Sequence, residues 1–230
     1  PPRLDSSAAS DVYKRQLLYS SNMSKKVPPG GALEEGLNII VKETQRCKTI
    51  IQGLLEFARD REPQKVPANI NDIMETALGI VENEFRLRHV NLELELAQDM
   101  VKTLLDENQI EQVFINLLLN ALHAVENSGR VTVRSAVESK QNKVRVEITD
   151  NGCGIAAHDI KKIFEPFYST KAKGTGLGLA VSYGIVKNHQ GDIHGFSEPG
   201  EITRFTIEFP IRAENSGPTV GPCNRLGSWS

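Results

Sequence analysis

Cysteine is scarce: Cys47, Cys153 and Cys223 are the only three in 230 residues. They form no CxxC pair and show no metal-ligand spacing. That excludes a disulfide framework and points to reduced thiols in a cytoplasmic setting. Charge of one sign is missing too, since 27 Lys and Arg face 29 Asp and Glu for a formal net charge of −2. Nothing global therefore suggests nucleic acid or an anionic membrane as a partner. No apolar run approaches the roughly 20 residues that cross a bilayer. Residues 1–16 lack the apolar core of a secretory signal, so the expectation is a cytoplasmic chain without membrane contact of its own, with a membrane anchor upstream in the intact protein left open. What is present, 39% hydrophobic and 24% charged residues, suits a globular protein with a packed core. The length fits one α/β domain and a smaller appendage.

Residues 1–16 show little apolar periodicity and read as foreign to the protein or disordered. Leu17 to Lys26 reads as the last turns of a helix, cut by the breaker cluster Val27-Pro-Pro-Gly-Gly31. A long helix is predicted from Leu33 to Arg59. Its apolar residues Leu37, Ile40, Thr44, Cys47, Ile51, Leu54 and Ala58 recur at threes and fours, the seam spacing of a coiled coil or bundle. The piece 17–26 covers only part of that stripe, so a helix from a second subunit is implied, the alternative being packing within one chain. Pro63 and Pro67 mark a linker. Asn71 or Asp72 is expected to cap the next helix, with Asp72 and Glu75 at capping-box spacing, and that helix should run to about Arg86.

Val90–Leu96 alternates as a strand, and a helix is expected from Asp106 to Glu126. Val131–Val137 and Val144–Thr149 follow as two strands, plausibly paired, with a helix at Gly176–His189. Ile193–Ser197 and Thr203–Phe209 close the sheet. No regular βαβ repeat is present, so the fold class is α+β, a two-layer α/β sandwich. The Gly-, Pro- and Ser-rich tail reads as disordered. The organisation is then 1–16, a helical hairpin at 17–62, a domain at 68–212 and a tail at 213–230.

Four segments carry chemistry. In Gln112-Val-Phe-Ile-Asn116-Leu-Leu-Leu-Asn120-Ala-Leu-His123, the polar residues Asn116, Asn120 and His123 sit at i, i+4 and i+7 on one face of an otherwise apolar helix. A carboxamide oxygen is a neutral hard ligand suited to Mg²⁺ already bound to phosphates; two asparagines hydrogen-bonded inside a core are the alternative. Asp150-Asn-Gly152-Cys-Gly154-Ile155 follows a strand. Its carboxylate can accept from the exocyclic amine of adenine, and its glycines allow close approach of a flat ring, although a plain β-turn explains the same residues. Ile163-Phe-Glu-Pro-Phe-Tyr-Ser-Thr170-Lys171 reads as an ordered hinge leading into a mobile segment, with Lys171 and Lys173 either directed at phosphate or simply solvated. Lys173-Gly174-Thr175-Gly176-Leu177-Gly178-Leu179 opens a helix with free N–H groups at its positive end, the recipe for a phosphate cradle. It matches neither the dinucleotide fingerprint nor the Walker A pattern.

Together NLLLNA, DNGCGI, FEPFYSTK and GTGLGL resemble the N, G1, F and G2 boxes of sensor histidine kinases of two-component systems. Those kinases share the Bergerat (GHKL) ATP-binding fold with gyrase B, ~90 kDa-class chaperones and mismatch-repair ATPases. The F box and the GLGL favour the kinase branch, and NLLLNALHAV with FYSTKAKGTGLGLAVSYGIV is most similar to its nitrogen-regulation-like subgroup. Thr203-Arg-Phe205 resembles the last, weaker box, with Ile202 where the family has glycine.

The resemblance implies ATP and Mg²⁺. It implies Asn120 as the metal ligand with Asn116 assisting, Lys171 in the catalytic set, and His123 at a phosphate contact. It implies Asp150, Gly152, Gly154 and Ile155 around adenine. Lys173, Gly174, Thr175, Gly176, Leu177, Gly178 and Leu179 would form the lid and its base, and Thr203 a further contact. It also implies a homodimer through the helical hairpin and a response-regulator receiver as phosphate acceptor. In the family, the accepting histidine lies on the helix before the one at 33–59. Here His89, His123, His158, His189 and His194 all fall beyond the hairpin. The chain is therefore read as N-terminally truncated, able to bind Mg·ATP but not to phosphorylate itself at the usual residue. A nucleotide-gated interaction module without phosphotransfer is the alternative. An ATPase of the gyrase or chaperone branch is disfavoured, since Asn116 stands where its water-activating glutamate is expected.

Overall fold

The computed structural model describes residues 15–16, 18–24, 26–28, 30–58, 62–125, 128–171 and 174–211, leaving out the side chains at 46 and 48–58. Expectations about the first fourteen residues, Lys173 and the tail lie outside them. In chain order the elements are α1 (Ala32–Ala58), β1 (Val66–Ala68), α2 (Ile70–Leu87), β2 (Asn91–Glu95), β3 (Thr103–Leu105) and α3 (Glu107–Ala124). Then come β4 (Arg130–Glu138), β5 (Lys143–Asp150), α4 (Gly178–Asn188), β6 (Asp192–Glu198) and β7 (Ile202–Pro210).

Strand residues alternate between two environments, and this builds the sheet. Along β5, Val144, Val146, Ile148 and Asp150 are buried, whereas Lys143, Arg145, Glu147 and Thr149 are half-exposed. β7 does the same with Thr203, Phe205, Ile207 and Phe209 inward. Five strands assemble in the order β2-β4-β5-β7-β6, with β2 and β4 parallel and the others antiparallel. A sheet patterned this way needs helices on one face only. The outer face carries ion pairs, Arg134 with Glu95 at 2.6 Å and Glu208 with Arg145 and Lys143 at 2.7 and 2.8 Å. Each is worth little alone at the surface.

The inner face is covered by α2, α3 and α4. α3 is the central helix: it packs on both of the others and on β5. Its buried residues Ile110, Val113, Phe114, Leu117, Leu118, Ala121 and Leu122 recur at helical spacing. α2 buries Ile70, Ile73, Met74, Ala77, Leu78, Val81 and Phe85 against it. This is the two-layer α/β sandwich expected from the sequence.

Two local expectations are corrected. The cap of α2 is Asn69, whose side chain accepts from the Asn71 N–H at 2.9 Å, two or three residues before the predicted cap. Asn71 itself turns inward and donates to the Ala97 carbonyl at 2.9 Å. A separate two-stranded ladder, β1 with β3, was not foreseen. Its strands are three residues long, too short to show a period, and Pro67 reads as a breaker although a strand edge tolerates it.

In the helical region, residues 18–24 are helical and Gly30 turns the chain at φ +83° into α1. Ser24 Oγ donates to Asn38 Oδ1 at 2.8 Å, joining the two helical pieces. Along the predicted seam Thr44 is buried, but Ile40 and Cys47 are exposed. Among the described residues, no helix is long and apolar enough to cross a membrane.

Candidate functional site

The site forms where β5 ends and α3 ends beside it. Asp150 is the last inward residue of β5, flanked in the ladder by Val131 and Thr203, and it is 3% exposed. Its Oδ1 accepts the Gly152 N–H at 3.0 Å. Burial raises its pKa from 3.8 to about 6, although the Gly152 bond and the nearby Lys171 charge both pull it down. Gly152 lies so close to α3 that an added methyl would collide with the Ala124 carbonyl. The Cys153 N–H donates to that same carbonyl at 3.0 Å. The loop is thereby sewn to the C-terminal end of α3. Gly154 sits against Pro199 and the Glu198 carbonyl, and the Ile155 N–H donates to Ser197 Oγ at 2.8 Å. Ser197 Oγ lies 3.2 Å from Thr203 Oγ1, which sets Thr203 beside Asp150 and links it to the same loop.

Several charged or chargeable groups meet on this end of the molecule. His123, in the last turn of α3, has its pKa lowered by burial first, then by Lys171 and Arg88. Lys171 also has its pKa lowered, chiefly by burial and also by Arg88, against the opposing pull of Cys153 and Asp150. Glu84 opposes the shift of His123, so basic and acidic groups stand together around the buried Asp150 carboxylate.

Asn116 and Asn120 lie on α3 as expected, yet they differ. Asn116 donates from Nδ2 to Ser182 Oγ of α4 at 2.9 Å. A methyl on Gly178 would strike Asn116 Oδ1, so the absence of that methyl is what seats the start of α4 on α3. The Asn120 carboxamide, half-exposed one turn later, has no hydrogen-bond partner among the described residues.

The loop between Phe167 and Gly176 is closed at its base. The Phe167 N–H donates to the Gly176 carbonyl at 3.0 Å, and Tyr168 is held by its hydroxyl on Asp159. Inside the loop, the Gly174 N–H donates to the Lys171 carbonyl at 3.0 Å. Thr175 Oγ1 accepts weakly from the Leu177 N–H at 3.4 Å. Leu177 is buried and Leu179 packs against the core, while no side chain among the described residues caps the N-terminus of α4. That leaves the positive helix end available to an anion.

Reading the sequence missed Arg88 and Ser182. A basic residue at a helix C-terminus ordinarily answers the helix dipole, so nothing distinguishes Arg88. Ser182 could have been found as the small polar residue four beyond Gly178 on an apolar helix.

Residues 105–213 match the family described as histidine kinase-, DNA gyrase B-, and HSP90-like ATPase. The chain is similar to the signal transduction histidine-protein kinase AtoS of Escherichia coli (strain K12), at 37% identity over 183 residues, covering 80% of this chain and 30% of AtoS. It is 35% identical over 190 residues to the sensor histidine kinase ZraS of Salmonella typhi, covering 83% of this chain and 41% of ZraS. It also resembles the crystal structure of histidine kinase ThkA in complex with response regulator protein TrrA. That match has a TM-score of 0.68 at 25% identity and covers 90% of this chain and 60% of that one. The chain thus spans less than half the length of these two curated relatives.

Proposed function

We propose that this chain, whose residues 105–213 match the histidine kinase-, DNA gyrase B- and HSP90-like ATPases, is of the histidine kinase branch and binds Mg·ATP as the phosphate-donating part of a two-component sensor kinase. The buried Asp150 carries the reading, because a carboxylate held at 3% exposure with its pKa raised to about 6 needs a specific donor, and the amine of adenine supplies one. Gly152 and Gly154 let the loop that follows Asp150 pack on the end of α3 and on Pro199, which fixes the carboxylate in place. Asn116, tied to Ser182, fixes the start of α4 so that its first N–H groups face the phosphates.

The residues fit the metal as well. The Asn120 carboxamide, without a hydrogen-bond partner among the described residues, offers a neutral hard oxygen, so Mg²⁺ would rest on it and on the nucleotide's own oxygens. When bound, it neutralises charge on the phosphates. Lys171 would add a basic group beside the phosphates, its pKa lowered chiefly by burial. The chemistry asked of the protein is positioning and charge neutralisation, with the γ-phosphate passing to a histidine and then to an aspartate of a response regulator. The intact protein would dimerise through its hairpin.

Titration calorimetry with an adenine nucleotide tests the pocket. Wild type should bind only with Mg²⁺, and Asp150→Ala should lose at least about tenfold in affinity; unchanged affinity rejects the assignment. Adding a separate hairpin that bears the histidine then distinguishes a kinase, which labels it from γ-labelled ATP, from a nucleotide-gated module, which does not.

A further inference from the structure

We propose that His189 is a positioning residue that pins the segment following α1 to the shared far end of α3 and α4. His189 closes α4 and is 3% exposed. Its Nε2 lies 3.0 Å from the Asp106 N–H, and its Nδ1 lies 2.8 Å from the Ile185 carbonyl. A backbone N–H only donates and a carbonyl only accepts, so the ring is neutral, with its proton on Nδ1. Burial agrees, holding its pKa below the ordinary histidine range. The charged groups facing it are Lys65 from the segment and Asp106 from α3, while β7 presents the Phe209 ring edge-on at 6.2 Å.

Asp106 extends the link. Its Oδ1 caps α3 by accepting from the Gln109 N–H, and its Oδ2 accepts the Gln64 N–H at 2.9 Å. Lys65 Nζ donates to the Asn188 carbonyl at 2.7 Å, and Val66 pairs with Leu105. Three consecutive residues, 64–66, are thus attached to the start of α3 and the end of α4. The two helices run antiparallel: Asn116 meets Gly178 and Ser182 toward the ATP site, and Asp106 meets His189 at the opposite end. A leucine would fill the same space beside Phe209. A side chain with one donor and one acceptor is needed to join the Ile185 carbonyl of one helix to the cap amide of the other. The helices carrying Asn116, Asn120 and the lid base therefore follow the segment that enters from α1. This significance rests on the kinase reading, whereas the clamp itself does not.

The test uses the full chain without nucleotide. Ring ¹⁵N shifts should report a protonated Nδ1 and a bare Nε2; the opposite tautomer overturns the proposal. His189→Leu should speed amide exchange at Gln64 and Val66, which it does not touch, by about tenfold, while His189→Gln, keeping one donor and one acceptor, should restore most of the protection. Unchanged exchange at both amides in His189→Leu rejects the clamp. If that variant does not fold, Asp106→Asn retains a cap oxygen while removing the second acceptor, and it should release Gln64 to the same extent; no release again rejects it. A chain that fails to bind Mg·ATP sinks the kinase reading alone. A chain that binds Mg·ATP yet shows no release sinks only the clamp.

Discussion

Asp150 is held in an environment that opposes its charge, so function and stability pull apart at this residue. The fold raises its pKa from 3.8 to about 6, which means the protonated form is the one the fold favours. Its contribution to stability is complete below about pH 3.8 and is lost as the pH rises through about 6, with an upper bound of about 3 kcal/mol. Asp150→Asn keeps an acceptor for the Gly152 N–H while removing the charge. Thermal unfolding should therefore show this variant more stable than wild type at pH 7.5 and nearly equal at pH 4, with nucleotide affinity reduced. Equal stability at both values would show that burial does not govern the carboxylate. In the wild type, protons compete with adenine for the same oxygens, so affinity should weaken about tenfold between pH 7 and pH 5.

Between elements, the decisive contact is α3 against α4 at Asn116, Gly178 and Ser182. Asn116 cannot swing away from a new methyl at Gly178 without giving up its 2.9 Å bond to Ser182 Oγ. Gly178→Ala should therefore cost about 1–3 kcal/mol, whereas Ser182→Ala, which only removes the bond, should cost about 1 kcal/mol. Denaturant unfolding of the two variants measures this. A Gly178→Ala chain as stable as wild type would mean that the helices are not interlocked there. Helix α4 was legible from GTGLGL and the apolar run behind it. The reason for its third glycine was not, because the clash involves a side chain sixty-two positions away.

At the scale of the molecule, the helical region leaves apolar surface uncovered. Ile39 and Ile40 are 62% and 52% exposed, and Leu33 and Met23 are also open. Burying such a face against a second copy would remove it from water. Sedimentation at micromolar concentrations should show wild type as a dimer and Ile40→Asp as a monomer with unchanged nucleotide affinity. A monomeric wild type would sink the homodimer and leave this face to another partner.

What the sequence determined by itself is what local pattern and residue type control. Alternation located the five strands of the main sheet, helical spacing located the longer helices, and the four boxes resembled those of the family that residues 105–213 match. Those signals are strong because burial on one face imposes a period along the chain. Tertiary structure alone decided the rest. Asn69 displaced the predicted cap because Asn71 found the Ala97 carbonyl across the fold. β1 and β3 exist because each supplies the other's hydrogen bonds. His189 reads as one more polar residue at a helix end until Asp106, eighty-three positions earlier, is brought to its ring. Contacts between distant residues leave no period in the sequence, so only the folded chain reveals them.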